Sequence, residues 1–431
     1  MPDPAQTTLL RREQEQSLRG RERIRIDKWA RMLRVSKRDG GGNAALYTFR
    51  DNKAGISAIA GTGKSKKLRR RCYKGIPDRW RSAAWLALLE RKAAASTTPQ
   101  PSFAELLERF DALATTPSPY DVQIDLDVPR TMSGHVLFHT RYGHGQRALF
   151  QVLHAFSLHC PDCGYCQGMG PIAASLLIYL DPGRAYAALV RLHDVHALHY
   201  IFAPGFPGLV ENFFVQEQLL RTLLPGLQAM LDENYIDASS FATKWYITLF
   251  ANSVPFETQL RMWDVIFLDG QDALVGIALA VLTGIQRRLS LGDEVTFDTE
   301  PYVDGTPSGS RLHLDEANGP HASSTSEHAS EKAENGRPRA NGPSSKSKRA
   351  KRVQRKASAA SRLAAAANKD SKDRPPPSFE ALLGALTSYI IPADDGALLR
   401  SVDELMTRPD IRARMKAARA EWAGKQALKA Q

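Results

Sequence analysis

Apolar positions along this chain recur every three or four residues and strand-like alternation is scarce, so the pattern predicts helices almost throughout. The first strong run follows Lys74-Gly75-Ile76-Pro77. Pro77 suits a first helical turn, and Trp80, Ala84 and Leu88 then share a face through Leu89. Ser102 is placed to cap a short helix carrying Phe103, Leu106, Leu107 and Phe110, and Thr115–Tyr120 is a Pro- and Ser-containing loop. Leu149, Val152, Leu153 and Phe156 define a helix over Leu149–Leu158. Past a turn at Tyr165–Gly170, Pro171 can open a helix whose stripe is Ile172, Leu176, Leu177 and Leu180. Further helices are predicted over Ala185–His193, Leu209–Leu224 and Gln228–Glu233. Phe241, Trp245 and Leu249 extend the series, followed by Leu260, Trp263 and Phe267, then Leu274, Ala278 and Leu282. The implied fold class is an all-α, multi-helix domain.

Both flanks depart from this pattern. Residues 1–73 are mostly polar and basic and read as a largely flexible extension. Within it a helix is predicted over Leu9–Leu33, with Trp29, Met32 and Leu33 as a small apolar stripe, before a flexible Gly- and Ala-rich stretch from Gly40 to Gly63. The main domain spans residues 74–292. Residues 293–377 hold Ser, Gly, Asn, Pro, Glu and Lys with few large apolar residues, too few to offset the entropy of ordering them. Periodicity returns over residues 378–431: Ser378 as cap, then Phe379, Leu382, Leu383, Leu386, Tyr389 and Ile390. Leu398, Val402 and Leu405 follow, with a break near Pro409 before Ile411, Met415 and Trp422. These helices are too short to stand alone, so they are expected to complete the domain, leaving 293–377 as a disordered insertion within it.

Composition narrows the class. The chain has 431 residues, 43% of them hydrophobic, enough for a sizeable core. Its net charge of +12 favours acidic partners, but the excess lies in the flanks without aromatic interleaving, which disfavours a nucleic-acid reader. The basic stretch Lys346–Lys356 fits a nuclear-import or membrane-surface patch, or a solvated linker. There are four cysteines, and the N-terminus, Met1-Pro2-Asp3-Pro4, has no apolar signal core. The longest apolar run, near Leu274–Leu282, falls short of the ~18 residues of a membrane span. A soluble protein of a reducing, intracellular compartment is expected.

Two tempting motifs are set aside. Gly61-Thr62-Gly63-Lys64-Ser65 has Ala58 where a phosphate-cradling loop needs its first Gly, no apolar strand before it, and Lys66–Arg71 in place of an amphipathic helix after it. Cys160-x-x-Cys163-x-x-Cys166 has His154 and His159 as nearest extra ligands and reads as free thiols, with no metal. His193, His196 and His199, three apart, drift around a helix and read as core or surface histidines.

The candidate chemistry lies in two strings, Ile124-Asp125-Leu126-Asp127-Val128-Pro129-Arg130-Thr131 and Gly164-Tyr165-Cys166-Gln167-Gly168-Met169-Gly170-Pro171. Asp127 is a plausible helix cap and Pro129 suits a loop or first turn, which places Arg130 near a helix entry. An arginine fork and a glutamine amide are suited to holding a phosphoryl group and a water. A third string runs from Trp245 through Leu249-Phe250, Pro255 and Leu260-Arg261-Met262-Trp263-Asp264 to Gly270. With Gly75-Ile76-Pro77 and Lys28-Trp29, these strings in this order resemble the signatures of TBC-domain proteins, all-helical activators of Rab-type small GTPases. The resemblance covers roughly residues 74–290, with 378–425 completing the domain.

The resemblance implies that two residues enter a GTPase site from outside. Arg130 would neutralise charge on the transferring phosphoryl, and Gln167 would orient the attacking water. Asp127 would pair with Arg130 or cap the helix, Thr131 belongs to the arginine string, Tyr165 would pack beneath the finger, and Gly168 and Met169 would form the glutamine turn. Trp245 and Trp263 would be core anchors, and Arg261 and Asp264, three apart on one helix, a structural pair. The family usually has Asn where Gly170 stands, so one hydrogen bond holding the turn is expected to be lost. The implied partner is a Rab-type GTPase in its GTP form. GTP and Mg²⁺ would belong to that partner, this chain having no cofactor of its own. The expected location is cytoplasmic and peripheral at endomembranes, with weak anionic membrane contact through the basic segments. The alternative is a catalytically silent TBC scaffold that binds a small GTPase; the presence of both Arg130 and Gln167 argues against it.

Overall fold

Helices form most of the computed structural model, which describes residues 20, 22–38, 40–50, 63–291, 378–392 and 394–429. The segment 293–377 with its basic stretch, and the start of the Leu9–Leu33 helix, lie outside these residues. Among the described residues before 74, the chain is more ordered than its composition suggests. A helix over residues 22–30 (α1) leads into an antiparallel hairpin, β1 (Leu33–Arg38) and β2 (Ala44–Phe49), with Leu33 opposite Phe49 and Val35 opposite Tyr47. Trp29, Leu33 and Phe49 are buried, and Tyr47 meets Trp80 edge-on at 5.9 Å. A helix also follows the rejected phosphate loop: α2 (Gly63–Tyr73) buries Leu68, Cys72 and Tyr73. Three well-placed apolar side chains dock each of these short elements on the body, and so few are easily lost in a basic background.

The body runs α3 (Asp78–Ala93), α4 (Phe103–Leu113), α5 (Asp121–Asp127), α6 (His144–His159), α7 (Met169–Leu177), α8 (Pro182–Val195) and α9 (Leu198–Phe202). It continues through α10 (Pro207–Leu223), α11 (Pro225–Glu233), α12 (Ser239–Ile247), α13 (Phe256–Asp269) and α14 (Gln271–Leu291). Ser102 caps α4 as expected: it accepts from the Glu105 amide at 3.2 Å while the Glu105 carboxylate accepts from the Ser102 amide at 2.7 Å. The C-terminal helices Phe379–Thr387, Asp395–Thr407 and Pro409–Lys429 pack back on this body, burying Leu382, Leu386, Val402, Ile411 and Met415. Arg69 on α2 holds the Asp395–Thr407 helix to α13 through Asp269 at 2.7 Å and Asp403 at 2.9 Å. Arg419 ties the last helix to Asp272 at 2.9 Å and Glu211 at 3.1 Å.

A buried carboxylate sits where α3 meets α13. Asp264 is fully buried and accepts from the Ile76 amide at 2.6 Å, the Trp85 indole at 2.8 Å and the Arg81 guanidinium at 3.4 Å. Burial pushes its carboxyl up to about 6, against the pull of Arg81, the Ile76 amide and the Trp85 indole. Around it Trp85 packs on Tyr179, Trp263 and Phe267 with ring centroids 5.1, 5.7 and 5.0 Å away. The expected Arg261–Asp264 pair does not form; Arg261 lies 3.9 Å from Asp395 on a C-terminal helix instead. Three positions apart, the two side chains diverge because Asp264 faces α3 and Arg261 faces the rim. Trp263 and Trp245 are core anchors, 0% and 2% exposed.

The helix through Phe241 and Trp245 stops at Ile247, so Leu249 is not its last turn. Leu249 and Phe250 adopt φ of 52° and 65°, a left-handed turn unusual for apolar side chains. It is held because the Trp263 indole donates to the Leu249 carbonyl at 2.9 Å and Trp245 stacks on Phe250 at 5.6 Å.

Truncating Asp264 to Ala orphans three buried donors and should cost about 3–5 kcal/mol in urea unfolding; a loss below about 1 kcal/mol would show that the carboxylate does not hold this junction. His196 supplies a pH test. Fully buried, with both ring nitrogens unpartnered, it is pushed by burial from 6.5 down to about 3. A folded value below the unfolded one means stability present above pH ~6.5 is lost as the unfolded chain takes up the proton, about 1.4 kcal/mol by pH ~5.5. The stability difference between wild type and His196→Leu should therefore move by that amount between about pH 7.5 and pH 5.5. Asp264, whose raised carboxyl acts in the opposite direction, contributes equally to both proteins and cancels.

Candidate functional site

The arginine string forms the exit of a helix rather than an entry. α5 ends at Asp127, a single 3₁₀ turn covers Val128–Arg130, and α6 begins only at His144. Pro129 fits because the first turn of a 3₁₀ segment needs no amide donor there. α5 is short, and side chains fasten its start: His154 on α6 pairs with Asp121 at 2.6 Å, and Ser118 meets Ser157 at 2.7 Å. His154 is thereby engaged with α5.

Asp127 caps nothing with its side chain; it organises the site. It is 1% exposed, and one carboxylate oxygen accepts from the guanidinium of Arg130 and from the Gln123 amide at 3.3 Å. The other accepts from the Tyr165 hydroxyl at 2.7 Å. Its backbone carbonyl accepts from the Thr131 hydroxyl at 2.8 Å. Burial and the Asp127 carboxylate both push the Tyr165 hydroxyl upward, so Tyr165 stays protonated and donates. One carboxylate thus binds the string carrying Arg130 to the string carrying Gln167. Arg130 remains accessible, its side chain 58% exposed.

The glutamine string is a tight turn between α6 and α7. The Met169 amide donates to the Cys166 carbonyl at 2.8 Å and the Gly170 amide to the Gln167 carbonyl at 3.3 Å. Gln167 is exposed at its tip. Gly168 faces Ile247 at the end of α12, and a Cβ there would lie 2.8 Å from Ile247 Cγ1 and 2.9 Å from its carbonyl oxygen. Gly164, with φ of 53°, lies so close beneath the Tyr120 ring that no Cβ fits. Met169 is fully buried and begins α7, so Pro171 falls in its first turn rather than opening it. A Cβ on Gly170 would meet the Thr131 hydroxyl at 3.2 Å. The position thus lies between the two strings, where an Asn would have to share space with Thr131.

The sequence reading missed Gln123, one helical turn before Asp127, and Ile247, which sits under Gly168. It also missed exposed apolar side chains: Val122 and Leu126, 76% and 63% exposed on α5, the helix that leads to Arg130, and Val136, 87% exposed in the loop after it. Among the described residues no helix is long and apolar enough to cross a membrane.

The family model for the Rab-GTPase-TBC domain matches residues 78–289, which include both strings and Asp264 with its partners Arg81 and Trp85. This chain carries a TBC domain. A TBC domain-containing protein of Schizosaccharomyces pombe is 38% identical over 271 residues, covering 62% of this chain and 59% of that protein. Carabin of Mus musculus is 33% identical over 231 residues, covering 53% of this chain and 48% of Carabin. The Rab GTPase-activating protein tbc-11 of Caenorhabditis elegans is 29% identical over 219 residues, 51% of this chain and 23% of that protein. The chain thus spans less than two thirds of the length of these relatives.

The Tyr165–Asp127 bond is testable in isolation. Tyr165→Phe keeps the ring and removes the donor, and should lower stability by about 1.5–3 kcal/mol in denaturant unfolding, as for loss of a hydrogen bond to a charged group. A change within about 0.5 kcal/mol would mean the hydroxyl does not tie the strings together.

Proposed function

We propose that this TBC domain accelerates GTP hydrolysis on a Rab-type small GTPase in its GTP form, with Arg130 and Gln167 entering the partner's nucleotide site. The observation that carries the reading is the shared Asp127 carboxylate, which fastens the exposed Arg130 and, through Tyr165, the loop of the exposed Gln167 to one point. Preorganisation of this kind matters because phosphoryl transfer is accelerated by positioning and by charge placed where it develops.

In the free chain Arg130 rests on Asp127. On docking, its planar fork turns to the phosphoryl oxygens and the leaving oxygen. Water solvates the departing guanidinium, whose side chain is 58% exposed, and the buried Asp127 keeps Tyr165 and Gln123 as donors. Gln167 accepts from the attacking water through its carbonyl and donates through its NH₂, holding the water in line. GTP and Mg²⁺ come with the partner. Val122 and Leu126, on the helix that leads to the arginine, expose apolar area of the kind a protein partner covers. The setting implied is the cytoplasmic face of an endomembrane, with basic segments adding weak attraction to anionic lipid.

Single-turnover hydrolysis by the full chain against a panel of GTP-loaded Rab-type GTPases tests this. Arg130→Lys should slow the responsive GTPase about 10³-fold, and Gln167→Ala about 10²–10³-fold, comparable to loss of one oriented transition-state contact. Both variants should still bind. If a GTPase binds the wild type without faster hydrolysis, the domain is a scaffold; if both variants accelerate as fast as the wild type, the two-finger mechanism fails.

A further inference from the structure

Two of the three cysteines clustered ahead of Gln167, Cys160 and Cys163, converge on histidines from a later part of the chain. Cys160 closes α6 and Cys163 lies in the loop after it; opposite them are His193 in the last turn of α8 and His199 in α9. The ligand atoms of these four residues all lie within 4.8 Å of one another. Cys163 Sγ is 3.4 Å from His193 Nε2 and 3.4 Å from His199 Nδ1. Cys160 Sγ is 3.6 Å from His199 Nδ1, and the two imidazole nitrogens are 3.2 Å apart.

Those are the edges of a metal tetrahedron. Zinc–sulfur bonds of about 2.3 Å and zinc–nitrogen bonds of about 2.05 Å at tetrahedral angles give S···N edges of about 3.5 Å and an N···N edge of about 3.3 Å. The outer partner is present as well: His193 Nδ1 lies 2.6 Å from the Asp194 carboxylate, which fixes the tautomer that turns Nε2 inward. The spacing also fits, Cys-x₂-Cys followed by His-x₅-His, within the range of zinc sites built from two thiolates and two imidazoles. We propose that Cys160, Cys163, His193 and His199 bind one structural Zn²⁺. Binding releases the two thiol protons and leaves a neutral, four-coordinate centre with no open position, so it anchors rather than catalyses.

The expectation of free thiols considered His154 and His159. The structure engages His154 with Asp121, and puts His159 against the same Asp194 at 3.2 Å, outside the tetrahedron. It brings instead His193 and His199, which a regular helix would place on different sides. A break between α8 and α9 reunites them: Ala197 adopts φ of 63°, and the chain reverses there. Cys166, the third cysteine of the string, is not in the cluster. Cys163 is four residues before Gln167, so the metal would clamp the base of the glutamine loop to the α8–α9 corner.

The test needs no GTPase. Full-length protein expressed in zinc-supplemented medium and purified without chelator should carry about one zinc per chain by mass-spectrometric metal analysis. Cys163→Ser and His199→Ala should each lower that at least five-fold, while Cys166→Ser retains it. To guard against misfolded variants, wild-type protein is treated with a strong chelator. Iodoacetamide should then modify Cys160 and Cys163 at least ten-fold faster, and re-addition of Zn²⁺ alone should restore protection. Metal-free protein under these conditions, zinc that persists in a Cys163→Ser/His199→Ala double variant, or alkylation rates insensitive to chelator would each overturn the site and leave a thiol–imidazole hydrogen-bond cluster.

Discussion

A carboxylate shut away from solvent governs how this domain closes. Asp264 takes its three donors from the Gly75-Ile76-Pro77 opening and from α3, while its own backbone belongs to α13, nearly two hundred residues later in the chain. In a low-dielectric interior such an ion is tolerated only when it is paired and hydrogen-bonded, so the two helices are held to the relation that brings these donors to it. The consequence reaches the site. With α13 fixed, Trp263 holds the Leu249 carbonyl; that holds the left-handed turn after α12; and Ile247 at the end of α12 presses against Gly168. The glutamine loop is thus braced from below by a chain of contacts that starts at a buried aspartate.

Asp127 repeats the device with one change. Like Asp264 it is almost inaccessible, and like Asp264 it gathers donors from separate segments. The difference lies in the arginine. Arg81 has its side chain 8% exposed, whereas Arg130 is 58% exposed. Water solvates the departing guanidinium of Arg130 but not of Arg81, so the first pair is releasable and the second is permanent. The same residue types therefore make a lock at α13 and a catch at α5.

Much of this was legible in the residues, for definite reasons. Long helices bury wide stripes, so α3, α7, α13 and α14 announce themselves by period, and Ser102 with Glu105 writes its own cap. Arg130 and Gln167 were legible through strings whose order resembles a family. What period could not reveal is structure made by few residues. The hairpin of residues 33–49 rests on Leu33, Phe49 and Tyr47, and the turn at Leu249 and Phe250 needs φ values that side-chain type would not suggest. Arg261 and Asp264, correctly spaced for a pair, are separated because Asp264 is buried against α3 while Arg261 turns to Asp395 on a C-terminal helix, which outweighs a surface attraction of a few tenths of a kcal/mol.

The chain by itself determined which segments are helical, which are too polar to build a core, and which two side chains carry the candidate chemistry. The first two follow from local preference and from the burial of apolar stripes, both written in consecutive residues; the third follows from strings that resemble a family's signatures. Only the tertiary structure decided what Asp127 does, turning an expected helix cap into the tie between two strings. It likewise decided that His193 and His199, rather than nearer histidines, face Cys160 and Cys163. Both outcomes depend on where chain ends and corners meet in space, and the convergence of polar atoms from distant segments leaves no periodic trace in any one of them.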